Sequence, residues 1–377
     1  MKNFVLISDF SLKANNRGTA ALGYGALSFL QEKGFLSDNH VVVEMSLHLN
    51  PFRKSFYSEQ SVQGKRICFY HLHASIFEYY LFMKIGIIIP FLPLGRMIKN
   101  LALVAAINGG DGLSDIYGTE LFRSRLPYSH IAIKKRIPLV ILPQTIGPFE
   151  NEKNKRVTED ILRYASAVFV RDSMFEKELD RIGVKYELTK DLSAYMEPEA
   201  WDIEIDPNSI GINVSGLAYS NNFLNLAGQF SSYPELIDRI IKLFQKKGKT
   251  IYLIPHAYNY SNPEDNNDDI EACRAAYERL EDKTNVVLID KDLISPRIKY
   301  VISKMSFFCG TRMHANFAAI YTNVLVFGLA YGYKYVGAFE SNGLSAGQTY
   351  MINNLDESKI DEVLEKIDGL YENTYNV

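Results

Sequence analysis

The sequence predicts an α/β protein made of two Rossmann-like domains facing a cleft, and three observations predict it. Short apolar runs of strand length alternate with helical stretches along the whole chain, the pattern of parallel sheets joined by crossover helices. A polar stretch between Pro198 and Pro207 interrupts that alternation just before a fresh strand, Ile210–Val214. The 377 residues are enough for two cores, and a composition of 47% hydrophobic and 23% charged residues is globular rather than disordered.

In chain order the expected strands are Phe4–Ile7, Val41–Met45, Leu103–Ile107, Leu139–Leu142 and Val168–Val170, then Ile210–Val214, Thr250–Ile254, Val286–Ile289, Ser306–Phe308 and Val324–Phe327. Helical patterns run over Thr158–Tyr164, Ser173–Arg181, Tyr233–Lys246 and Asp268–Leu280. The Ser173-x-x-Glu176 spacing is a capping box that places a helix start at Ser173. The expected domains are 1–200 and 205–350, with a last helix and tail over 355–377 returning to the first domain. Clefts between domains are where ligands usually sit.

Several function classes are excluded early. The net charge is -3 with no long basic run, so nucleic acid is not an expected partner. Cys68, Cys273 and Cys309 form no CxxC pair and read as free thiols of a reducing compartment. The apolar run that begins at Phe4 is broken by Asp9, too early for a signal-peptide core, so a cytoplasmic location is expected. Phe77 to Leu94 is the nearest thing to a membrane segment, but Pro90 and Pro93 interrupt it and it is too short to span. It is either a buried core helix or an apolar surface in peripheral contact with a bilayer.

Ligands of open α/β sheets bind beyond the carboxyl ends of the strands. Those positions carry Asn15 to Gly18, Asn108 to Gly112, Pro143 to Pro148, Arg171 to Ser173, Asn213 to Gly216, Pro255-His256, Gly310 to His314, and Tyr331 with Lys334. Glycines let a ligand approach the backbone, and Arg171, Arg312 and Lys334 fit a small, multiply charged anion. Gly310–His314 also leads into a helix, whose start favours an anion. Each position has a plainer reading beside this one. Arg171 can be an ion-pair partner of its neighbour Asp172, His314 a core histidine, Lys334 a solvated loop residue, Asp111 a turn former, and His256 a residue that orients a loop.

Taken together these loops resemble the polysaccharide pyruvyltransferase family. The resemblance rests on Asn16-Arg17-Gly18, Gly109-Gly110-Asp111, Thr145-Ile146-Gly147-Pro148, Val170 to Ser173, Ile254-Pro255-His256, Gly310 to Ala315, and Tyr331 to Lys334, in that order along nearly the whole chain. Gly310-x-Arg312-x-His314-Ala315 is its most specific part. It implies a glycosyltransferase-B-like fold with an acceptor side in the first domain and a donor side in the second. It implies transfer of the pyruvyl group of phosphoenolpyruvate onto a sugar hydroxyl pair of a bacterial surface glycan, the acceptor being lipid-linked at the inner face of the cytoplasmic membrane. Phosphoenolpyruvate is a co-substrate, and no cofactor is implied. By the same resemblance Arg171 and Arg312, with Gly310, Thr311 and His256, take the donor. His314 is the general acid, Lys334 an active-site lysine, and Asp111 a carboxylate for the acceptor, with Asn16, Arg17 and Gly110 beside it. Where the family carries an acidic residue after Gly18 and Thr19, this chain has Ala20 and Ala21.

Other motifs carry less. Lys247-Gly248-Lys249-Thr250 lacks the upstream glycine of a P-loop and precedes a strand instead of following one. The acidic run Glu264–Asp269 fits a helix start and has no EF-hand spacing. His71 and His73 share one side of a strand with no further ligand in view, so no metal is expected. Two competing functions remain. A nucleotide-sugar glycosyltransferase uses the same fold, and a non-catalytic assembly factor would carry degenerate strand-end loops, where this chain keeps Arg171, Arg312 and His314.

Overall fold

Runs such as Phe4–Ile7 and Leu139–Leu142 have no polar alternation, and every residue in them is buried. That is what a parallel sheet covered by helices on both faces requires. The computed structural model describes residues 3–50, 53–332 and 334–375, which divide into two units. The first is Met1–Leu12 with Leu22–Met196, and the second is Lys13–Ala21 with Glu197–Val377.

The first unit's sheet contains β1 (Asn3–Ile7), β2 (His40–His48), β3 (Phe56–Val62), β4 (Lys65–Ser75), β5 (Leu101–Ala106), β6 (Leu139–Gln144), β7 (Ala167–Val170) and β8 (Glu187–Leu188). Their order is β3-β4-β2-β1-β5-β6-β7-β8, and every pairing is parallel except the β3–β4 hairpin. The hairpin was not expected from the sequence. Its two-residue turn, Gln63-Gly64, has φ of 50° and 75°, so both residues take the left-handed conformation of a hairpin turn. Gln at the first of these positions hides a signal that Asn-Gly would have given.

The second unit holds β9 (Ile210–Asn213), β10 (Ile251–Leu253), β11 (Val286–Leu288), β12 (Phe307–Gly310), β13 (Leu325–Ala330) and β14 (Thr349–Met351). All are parallel in the order β11-β10-β9-β12-β13-β14, which is the strand order of a dinucleotide-binding Rossmann sheet. The helix Tyr233–Lys246 buries Leu236, Ile237, Ile240, Ile241 and Phe244 on one stripe against this sheet.

Two expectations need correction. The C-terminal helix, Glu357–Tyr375, was expected to return to the first domain. It packs in the second, because Ile360, Val363, Ile367 and Tyr371 form an apolar stripe that fits beside Phe244 and Phe307, the Tyr371 ring lying 5.4 and 5.8 Å from theirs. The capping box at Ser173 is not used. Asp172 takes the Met174 amide instead, at 3.1 Å, and the helix starts only at Glu176.

Residues 76–99 form two short helices that are each buried on one side. The helix Ile76–Ile85 buries Tyr79 and Phe82, and the helix Pro93–Lys99 buries Leu94, Met97 and Ile98. Glu78 ties the two together by accepting the Gly95 amide at 3.0 Å and the Leu94 amide at 3.4 Å. Burial pushes its carboxyl pKa up, and these two amides pull it partly back. The outward side of the first helix stays apolar and exposed. Among the described residues no helix is long and apolar enough to cross a membrane.

Candidate active site

In the second unit the strand order reverses between β9 and β12, and their carboxyl ends meet there. Asn213, at the end of β9, bridges the ends of three strands. Its Oδ1 accepts the Arg312 amide at 2.8 Å, and its Nδ2 donates to the Ile254 carbonyl at 3.0 Å and to Asp269 at 3.3 Å. Asp269 is fully buried at the first position of the helix Asp269–Arg279. Its two oxygens accept the amides of Gly216 (2.8 Å), His256 (3.0 Å) and Ala257 (2.9 Å). They also take Arg312 through Nε at 3.1 Å and Nη2 at 2.7 Å.

Arg312 is therefore oriented before any ligand arrives. Nη2 also donates to Asn267 Oδ1 at 2.8 Å, while Nη1 takes no part in these bonds. Burial opposes its charge, and Asp269 more than restores it, so the guanidinium stays charged. The sequence fits Arg312 to a small anion and names no counter-charge for it. Arg312 is half of a buried ion pair, because a charge this buried needs a partner.

Gly310 and Thr311 do positioning work. A Cβ on Gly310 would lie 2.2 Å from Asn316 Oδ1 and 2.6 Å from the Phe308 ring, so only glycine lets the turn into the helix Met313–Ile320 close. Thr311 is fully buried and shares a 2.7 Å hydrogen bond with the Tyr233 hydroxyl, while its carbonyl accepts the Tyr335 hydroxyl. The helix that follows has Arg312 at its N-cap with no side-chain cap.

Asn16 and Arg17 were expected on the first domain. The structure groups Lys13–Ala21 with the second unit, and the reason is a dense set of ties. The Arg17 amide donates to the His256 carbonyl at 2.9 Å, Tyr258 donates to the Asn15 carbonyl at 3.1 Å, and Asn16 bridges Ala257. The Arg17 side chain is buried, donates to Ala14 and Asp292 at 2.7 and 2.8 Å, and lies 4.3 Å over the Tyr258 ring. It is a clamp on this loop rather than an open acceptor contact. Asn16 is exposed and caps the turn by accepting the Gly18 amide at 2.9 Å. That seats Gly18 against His314, where a Cβ would fall 2.7 Å from Nδ1. The His314 ring meets Phe317 edge-on at 5.6 Å.

His256 is buried beside these cations. Burial first, then the charges of His314, Arg312 and Arg17, hold its pKa well below the usual imidazole value, so it is neutral at pH 7. Its unfolded form titrates near 6.5. Its contribution to stability is thus complete above about pH 6.5 and is lost as pH falls, at up to ~1.4 kcal/mol per pH unit, since only the unfolded chain binds the proton there. Urea unfolding at pH 7.5 and 5.5 is expected to show this loss in the parent and a shallower one in His256→Gln. Identical losses in both would mean His256 is not the group responsible.

The first unit has its own strand-end cluster where β1 and β5 meet. Ser8, Asn108 and Gln144 form a buried polar chain, with Ser8 Oγ accepting the Ile107 and Asn108 amides at 2.8 and 3.1 Å and Asn108 Nδ2 donating to Gln144 at 3.2 Å. Asn108, Gly109 and Gly110 all have positive φ, so the loop turns sharply into Asp111. The Gly110 carbonyl accepts the Thr145 amide at 2.9 Å. The Arg171 side chain is buried, donating to Thr145 at 2.9 Å through Nε and to Asp191 at 2.6 Å through Nη1. Burial opposes its charge, and Asp191, then Asp111, more than restores it. The expected partner Asp172 is 4.0 Å away, and the main one, Asp191, was missed. Asp111 is half-buried and accepts the Tyr117 hydroxyl at 3.3 Å.

Lys334 begins the helix Lys334–Glu340, but its side chain, like Tyr333, lies outside the described residues. Of the acidic run, Asp268 caps the Ile270 amide at 3.0 Å and Asp269 holds Arg312. His71 pairs with Glu44 at 2.8 Å and His73 lies 3.0 Å from His48. Among the described residues no three His, Cys, Asp or Glu side chains are grouped so as to hold a metal ion.

The structure is similar to UDP-GlcNAc 2-epimerase from Methanocaldococcus jannaschii (TM-score 0.53, 11% identity, 97% of this chain and 92% of that one). It is also similar to UDP-GlcNAc 2-epimerase from Neisseria meningitidis bound to UDP-GlcNAc (TM-score 0.54, 13% identity, 100% of this chain and 93% of that one). At such identities the likeness is one of fold, and the fold is of the glycosyltransferase-B type, with parallel-sheet α/β domains. No curated protein sequence matches the chain. The family model for polysaccharide pyruvyl transferase matches residues 16–333, nearly the whole chain, and the chain belongs to that family.

Proposed function

We propose that the chain transfers the pyruvyl group of phosphoenolpyruvate to two hydroxyls of a sugar, forming a cyclic ketal and releasing phosphate. The acceptor in this reading is a lipid-linked bacterial surface glycan at the inner face of the cytoplasmic membrane. The observation that carries the proposal is the second unit's switch point, where a buried, pre-oriented Arg312 stands at a helix start with no side-chain cap, in the same cluster as His256 and His314. Such a helix start favours an anion, and an oriented guanidinium matches phosphate or carboxylate oxygens.

The chemistry needs a proton on the vinyl methylene. His256 is held neutral and cannot supply it at pH 7. His314 is assigned the proton, because a bound phosphate and carboxylate raise the pKa of an imidazole beside them. Protonation leaves an oxocarbenium-like centre. One sugar hydroxyl adds there and gives up its proton, the bond from that carbon to the phosphate oxygen breaks with both electrons leaving on phosphate, and the second hydroxyl closes the ring and releases its own proton, which the departing phosphate can take. Arg312 and the helix start stabilise the departing charge. In the first unit the same reading assigns Arg171 to a donor oxyanion and Asp111 to the acceptor's proton, and Lys334 remains assigned to the site.

The test is incubation with phosphoenolpyruvate and a panel of lipid-linked and aryl glycosides, followed by phosphate assay and mass spectrometry. Phosphate release with a product heavier than the acceptor by pyruvic acid less water is the expected result. No release with any acceptor, together with glycosyl transfer from a nucleotide sugar, would replace this reading with the glycosyltransferase one.

A further inference from the structure

The helix Ile76–Ile85 and the loop after it break a basic rule of soluble surfaces. A helix that is apolar all round is normally buried. Here Tyr79 and Phe82 face the core, while Phe77, Tyr80, Leu81, Lys84 and Ile85 form a second stripe at helical spacing on the opposite side. Phe77 is 71% exposed and Ile85 62%. The loop continues the surface with Ile87 and Phe91, the latter 70% exposed. The end of β2 is paired with the strand end that leads into this helix, His48 opposite Ser75, and next to it Leu49 is 87% exposed. Large apolar side chains exposed this densely on neighbouring segments mark an interaction site.

The charges on the surface decide its occupant. Between residues 76 and 100 the exposed charges are Lys84, Arg96 and Lys99, all positive. The one acid in that stretch, Glu78, is folded inward onto the Leu94 and Gly95 amides. Arg53 adds another cation at the strand end, donating to His48 at 3.2 Å. Protein–protein interface cores are depleted of lysine. A second copy packed face to face would set the cations of this stretch against their own copies. An apolar stripe rimmed by Lys and Arg is instead the surface that enters the headgroup region of an anionic bilayer.

We propose that the outer face of residues 76–99 is a peripheral docking surface for anionic lipid bilayers, with Phe77, Ile85 and Phe91 inserted and Lys84, Arg96 and Lys99 on the headgroups. This goes beyond the transfer reaction and does not depend on the donor's identity. Lipid binding is measured without phosphoenolpyruvate or acceptor, so its failure leaves the transfer reading standing, and the reverse.

The test is sedimentation of the full chain with vesicles of phosphatidylcholine alone or mixed with phosphatidylglycerol. Binding is expected to the mixed vesicles and to weaken in high salt. Phe77→Ser/Ile85→Ser/Phe91→Ser is expected to bind at least tenfold more weakly. Lys84→Gln/Arg96→Gln/Lys99→Gln should lose on the order of fivefold per cation. Both variants alter exposed side chains only, and an unchanged melting temperature checks that they fold. A parent that stays in the supernatant with every composition overturns the proposal, as does equal binding to neutral and anionic vesicles. So does an apolar variant that pellets like the parent, or a parent dimer in light scattering that the apolar substitutions dissociate.

Discussion

Asp269→Ala is expected to cost about 3–5 kcal/mol of stability, the largest loss from any single side chain in the second unit's strand-end cluster. The carboxylate is fully buried and serves six donors on five residues, the amides of Gly216, His256 and Ala257, Nδ2 of Asn213 and two nitrogens of Arg312. Removing it leaves a buried guanidinium without its counter-charge and three amides without an acceptor, and each such group carries its own desolvation cost. Asp269→Asn separates the two effects. It keeps the shape and one accepting oxygen but removes the charge, so it should fall between parent and Ala. Thermal unfolding of the three proteins in parallel checks the order, and a Tm for Asp269→Ala within a degree or two of the parent would show that the carboxylate does not hold the cluster together.

The same ion pair changes how the arginine variants must be read. Arg312→Ala removes the guanidinium to which the proposed function assigns the donor, and it also strands Asp269 in the interior. A loss of phosphoenolpyruvate binding in that variant alone cannot be separated from loss of the fold. Arg312→Lys keeps a charge beside Asp269 but not the planar fork, so it should fold and still bind the anion more weakly. Arg171 has the same arrangement with Asp191.

The parts of the fold that were legible are those set by local pattern. Buried strands such as Phe4–Ile7 and Ile210–Val214 carry unbroken apolar runs, and the helix Tyr233–Lys246 was bounded to the residue by its stripe and by Pro234. The β3–β4 hairpin escaped because its strands alternate weakly and its turn uses Gln63. At the strand ends, the sequence displays Arg171 and Arg312 but not their counter-charges. Asp269 sits at the start of the crossover helix after β10, and Asp191 follows β8, a two-residue strand that was not expected from the sequence. A buried arginine at a strand end requires an acid, yet nothing local says which one. The segment Lys13–Ala21 failed for a related reason. Its sequence position is in the first domain, while the partners that fix it, His256, Tyr258, Asp292 and Ser295, are all in the second.

Gly18→Ala and His314→Gln should damage turnover by different routes while sparing donor binding, and together they test the proton donor. His314→Gln removes the acid, and loss of a positioned acid typically costs 10²–10⁴-fold in turnover. Arg312 and the helix start remain, so phosphoenolpyruvate affinity by calorimetry should change by only a few-fold. Gly18→Ala leaves the imidazole intact but adds a methyl 2.7 Å from Nδ1 and 2.8 Å from Cβ and Cγ. Either the ring or the loop must shift, and a displacement of about 1 Å in a reacting group can cost on the order of 10²-fold. A merely structural histidine predicts something else: both variants would lower Tm and lose donor affinity and turnover in proportion. Reaction in deuterium oxide adds an independent reading, since protonation of the vinyl carbon puts one deuterium in the ketal methyl group of the product. A His314→Gln protein with near-normal turnover and the same deuterium content would show that another group delivers the proton.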